Sequence, residues 1–103
     1  MADCEYWKGI VADLRTKPNW AAHVLATDDE NLEYARECVA DEVIINNVLL
    51  AYNDEDWLTH SDCDHILSQF EKESVERVYN VSTELSENAR QSIEGLLSLW
   101  KKQ

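Results

Sequence analysis

The chain has 103 residues, enough for one small domain that buries roughly 60 to 70% of its unfolded surface. Its apolar share of 45%, with four Trp and four Tyr, is too high for a disordered acidic tail, and two Gly and one Pro are too few for many tight hairpins. A net charge of -12 repels phosphate backbones and anionic lipid, which argues against direct binding to nucleic acid or a membrane and points to a cationic protein partner.

Asp3 is placed to cap a first helix over residues 3 to 16, in which Trp7, Ile10, Val11 and Leu14 recur at helical spacing. The residues from Met1 to Val11 lack the basic-then-apolar order of a signal peptide. No apolar run approaches the roughly 18 residues of a membrane span, so a cytoplasmic location is expected. Pro18 opens a second, short helix, because its missing N–H would be unpaired in the first turn anyway; Trp20, Val24 and Leu25 are expected on the buried side. Residues 27 to 30, "TDDE", have the capping-box spacing, with Thr27 as the cap, Glu30 reaching back and three acids suited to the positive end of the helix dipole. The third helix is expected to continue through "VIINNVLLAY" to about Tyr52. Its β-branched residues also suit a strand, but no second run offers a pairing partner.

Residues 53 to 61 read as a loop, with room for one helical turn from Asp54 to Leu58, and Ser61 caps the next helix. Leu67, Phe70, Ser74, Val78, Val81 and Leu85 then fall at spacings of three and four, one face toward the core. The cluster from Asn80 to Thr83 suggests a break before a last helix bearing Ala89, Ile93, Leu96, Leu97 and Trp100, although the two stripes are nearly in phase and one long helix is the alternative. The expected fold is all-α, a compact bundle of four or five helices in a single acidic domain.

Cys4, Cys38 and Cys63 are odd in number and widely spaced, which fits reduced thiols. His60, Cys63 and His65 have zinc-like spacings, but no second pair of ligands accompanies them, and within a helix Cys63 and His65 diverge by about 200°. Asp54, Asp56, Asp62 and Asp64 lack the glycine and bidentate glutamate of a calcium loop. With no glycine-rich phosphate loop and no G-x-S-x-G, the expectation is a non-enzymatic protein with no catalytic residues, metal or cofactor.

The charge is concentrated. From Asp28 to Glu71 there are thirteen acids and one base, Arg36. On the third helix Glu30, Glu33, Glu37 and Asp41 fall within about 80° of one another, with Leu32, Ala35 and Val39 opposite. Such steps rise about 4.5 to 6 Å along the axis, near the phosphate repeat of a nucleic-acid strand, so the row can occupy a groove of Lys and Arg. Glu73, four residues before Arg77, shows that the chain laces another helix with opposite charges. Trp7, Trp20 and Trp100 are assigned to the core. Trp57, preceded by Asp54, Glu55 and Asp56, is a candidate anchor for an arginine-rich surface, with Tyr52 a weaker one; Asp62 and Asp64 extend the acidic patch.

The expected function is therefore stoichiometric: the protein binds and blocks the basic nucleic-acid-binding surface of another protein, a nuclease or defence effector. In size, charge and helicity the chain resembles phage-encoded anti-restriction and anti-CRISPR inhibitors that mimic DNA. The alternatives are an immunity protein neutralising a nuclease toxin and a small metal-dependent structural or regulatory domain using His60, Cys63 and His65.

Overall fold

The computed structural model describes residues 3–55 and 57–102. Among them seven helices follow in order: α1 (Cys4–Asp13), α2 (Pro18–Thr27), α3 (Asp29–Cys38), α4 (Asp41–Ala51), α5 (Trp57–Leu67), α6 (Lys72–Val81) and α7 (Glu87–Lys101). No strand occurs among the described residues. The fold is all-α as expected, but the helix count exceeds four or five, because two segments expected to be continuous are each divided.

The first division falls at Val39 and Ala40, which are extended between α3 and α4. Neither is Gly or Pro. The charges on either side favour the break: Arg36 lies in the last turn of α3, and Asp41 and Glu42 lie in the first turn of α4, each matching the helix dipole there. Arg36 also grips Asp41 across the gap, Nε to Oδ1 at 3.0 Å and Nη2 to Oδ2 at 2.9 Å. The second division, at Ser68 to Glu71, follows a tightened turn in which Ser68 Oγ donates to the His65 carbonyl (2.6 Å) and Phe70 folds inward.

Other boundaries have local causes. Asp3 caps α1 by accepting from Tyr6 N (3.4 Å), Pro18 opens α2, and Ser86 Oγ accepts from Ala89 N (3.1 Å) to start α7. The cap of α3 is Asp28, which accepts from Glu30 N at 2.9 Å. Thr27, expected in that role, is instead the last residue of α2, with its hydroxyl donating to the His23 carbonyl (2.6 Å). Helix α5 begins at Trp57, so Ser61 lies inside it rather than at its cap.

Helix α4 is the hub, touching α1, α2, α5, α6 and α7. Ile44, Ile45, Val48 and Leu49 are fully buried, which explains why this helix is apolar on nearly every side. Its buried Asn47 is satisfied: Nδ2 donates to the Val11 carbonyl (3.0 Å) and Oδ1 accepts from Arg15 Nε (3.0 Å), joining α4 to α1. Trp7 is buried and Trp100 half-buried against the core. Trp20, expected inside, is 49% exposed, because α2 turns its small residues Ala21 and Ala22 inward with Leu25. Val81, also expected inside, is exposed at the end of α6.

The thiol expectation is corrected as well. Cys4 and Cys38 form a disulfide, with Cα atoms 5.1 Å apart, and only Cys63 is a free thiol, buried among apolar side chains. Packing of α1 against α3 brings together two residues 34 apart, which sequence spacing does not reveal. No helix among the described residues is long and apolar enough to cross a membrane.

Candidate partner-binding surface

Helix α3 turns Leu32 and Ala35 into the core, which leaves Glu30, Glu33 and Glu37 on its solvent side. Among the described residues none of these three carboxylates has an ion-pair or hydrogen-bond partner. Tyr34, 37% exposed, sits beside Glu30 and Glu37 on the helical wheel and leans toward Trp7 of α1, ring centres 5.9 Å apart. Sequence reasoning passed over Tyr34, though its place within the acidic stripe was readable.

Asp41 does not belong to this row. The break at Val39–Ala40 puts it on α4, where the bidentate bond to Arg36 neutralises it. The Arg36 guanidinium also lies over the Phe70 ring, 4.7 Å from its centre. The one base between Asp28 and Glu71 is thus engaged within the fold, which leaves the three α3 carboxylates without a local counter-charge among the described residues.

A second group of candidates gathers around α5. Trp57, its first residue, is 85% exposed, with its ring edge toward His60 at 6.4 Å between centres. Glu55 accepts from Asn88 Nδ2 (3.0 Å), and Asp56 lies outside the described residues. Asp54 lies exposed in the turn after α4, close to Asn53, whose amide clamps the α6–α7 loop through the Glu84 carbonyl (3.2 Å) and Ser86 N (2.9 Å). Asp62 faces His23 Nδ1 at 3.6 Å and Asp64 accepts a hydrogen bond from the Tyr52 hydroxyl, so both serve partly as internal links. Asp29, absent from the sequence expectation, meets His65 Nε2 at 3.2 Å.

Electrostatics around α5 follow from burial. Desolvation, with the bond to Asp64 second, pushes the Tyr52 hydroxyl far up, and desolvation also raises Asp64 despite the opposing effects of Tyr52 and His60. Burial, reinforced by the charges of Asp64 and Asp62, pushes the Cys63 thiol up, so it stays protonated and inert. His60 stacks on Tyr52 and its Nε2 lies 3.2 Å from the Tyr52 carbonyl, while His65 points to Asp29. Among the described residues no three His, Cys, Asp or Glu side chains gather where they could hold a metal ion.

Helix α5 rises about 15 Å from Trp57 to Leu67, at 1.5 Å per residue. Its last turn meets the start of α3 through His65 and Asp29, whereas Trp57 stands at the opposite end. The predicted residues therefore do not form one compact site.

This combination defines an acidic, all-helical protein with exposed carboxylates on α3 and an exposed indole at the start of α5. Comparison with protein-family models, with curated proteins and with solved structures finds no match in any of the three.

Proposed function

We propose that the protein is a non-enzymatic inhibitor that binds and blocks the basic nucleic-acid-binding surface of another protein. The observation that supports this reading most is the set of Glu30, Glu33 and Glu37 carboxylates on α3, unpaired among the described residues, with Arg36, the nearest base in sequence, held by Asp41 and Phe70. Such a row attracts a groove of Lys and Arg, speeds encounter by electrostatic steering and loses strength as salt rises. A nuclease toxin and a defence effector present the same basic chemistry, so an immunity protein and a phage-encoded inhibitor are two settings of one mechanism.

A partner that handles nucleic acid places the encounter in the cytoplasm. Reductants there keep most disulfides open, so the chain with Cys4 and Cys38 as thiols is the form that such a partner would meet.

The test is affinity capture from nuclease-treated bacterial lysate, with a salt-step elution and duplex DNA as competitor. The expected result is a basic nucleic-acid-binding protein that DNA displaces. Replacing Glu30, Glu33 and Glu37 together by Gln should weaken that capture and flatten its salt dependence, whereas Asp41→Asn should act on stability instead. A partner indifferent to both salt and DNA, or no partner at all, would refute the reading.

A further inference from the structure

Three large apolar side chains stay exposed along the α2–α5 contact: Trp57 at 85%, Leu58 at 56% and Trp20 at 49%. Three neighbour relations fix how the two helices run. Pro18, at the start of α2, lines the same cleft as Asn53 and Asp54, just ahead of α5. His23 faces Asp62 at 3.6 Å midway, and His65, near the end of α5, meets Asp29, just beyond α2, at 3.2 Å. The helices therefore run in the same direction. Trp20, one turn before His23, stands level with Leu58, one turn before Asp62, and Trp57 adjoins them at the tip of α5.

Carboxylates outnumber bases along this edge. Neither α2 nor α5 contains a Lys or Arg, and Asp62 and Asp29 line the seam opposite His23 and His65, with Asp54 and Glu55 ahead of Trp57. Lys17 immediately precedes α2, and Arg15, which lines the same cleft as Pro18 and Asp54, is held through Nε by the Asn47 amide oxygen (3.0 Å). Indole faces in a negative field complement a guanidinium, which is planar, weakly hydrated and able to stack on the ring while donating to carboxylates. A lysine ammonium keeps its water more tightly and gains less from the ring.

We propose that the edge formed by Trp20, Leu58 and Trp57 is the docking surface for an arginine-bearing segment of the basic partner. The two indoles take guanidinium planes, and the seam carboxylates supply the field. This deepens the function proposed above and rests on it for the partner's positive charge.

Arginine and lysine homopeptides of equal length serve as probes, titrated into the whole chain and followed by calorimetry at low and at physiological salt. The arginine peptide should bind about fivefold more tightly than the lysine peptide. Trp20→Ala and Trp57→Ala should each remove most of that preference while leaving lysine-peptide affinity and far-UV circular dichroism unchanged. Should either alanine variant misfold, Trp20→Phe or Trp57→Phe takes its place, with the preference expected to shrink.

Equal affinity for the two peptides, or a preference that no Trp variant alters, would overturn this docking surface. If the Glu30/Glu33/Glu37→Gln variant then still weakens both peptides, the acidic-face function survives without it. Failure of both peptides to bind at low salt would overturn both readings.

Discussion

Asp64 carries a charge that its surroundings disfavour. Burial raises its pKa above the ordinary aspartate value, and the Tyr52 hydrogen bond and His60 offset this only in part. A raised value in the folded state means that the fold holds this proton more tightly than the unfolded chain does. The resulting stabilisation is complete below the unfolded value of about 4 and is lost as pH rises through the folded value. Asp64→Asn, which keeps an oxygen to accept from Tyr52, should therefore melt higher than the native chain at neutral pH, with the gap closing in acid. A lower melting temperature at neutral pH would mean that the charge-assisted bond outweighs the desolvation. Cys63 makes a second residue-scale prediction. Its fully buried, protonated thiol should resist alkylation in the native, unreduced chain and react only in denaturant.

Caps and breaks decide matters at the scale of elements. Because Asp28 accepts from Glu30 N, Asp28→Ala should cost about 1 kcal/mol in chemical denaturation. Thr27→Ala should cost less, since it removes only a bond to a carbonyl in the preceding helix. The opposite ranking would restore the capping box centred on Thr27. Asp3, Pro18 and the break after Val81, within the expected 80–83 cluster, were legible because each is signalled by residues within a few positions. The helical state of residues 43–50 was legible from the lack of a pairing strand. The breaks at Val39–Ala40 and Ser68–Glu71 were not, since their hydrophobic stripes continue across them and tertiary partners, Arg36 with Asp41 and the inward Phe70, hold them. That is why Glu30, Glu33 and Glu37 share a face as their periodicity implies, while Asp41 leaves it. Trp20 was misread because ring size suggested burial, whereas the close side of α2 is built from alanines.

At the scale of the whole molecule, the most consequential feature is the bond between Cys4 and Cys38, which closes a loop spanning 34 positions. Restricting the unfolded chain over that length is worth roughly 3 to 4 kcal/mol on a chain-entropy estimate. Reduction should lower the melting temperature accordingly, and a Cys4→Ser/Cys38→Ser variant should match the reduced chain. An unchanged melting temperature would show that α1–α3 packing alone sets the stability. The same bond also governs the fate of a cut chain. Helices α1, α2 and α3 lie within its span, so proteolysis at the α1–α2 turn leaves α1 covalently joined to the fragment that carries Trp20 and the acidic row. Helices α4 to α7 lie beyond the span, and a cut at Val39–Ala40 leaves them held by packing alone. A nicked molecule would therefore survive the first cleavage as one species on a non-reducing gel and separate after the second, making the protein's resistance to digestion depend on where the protease enters.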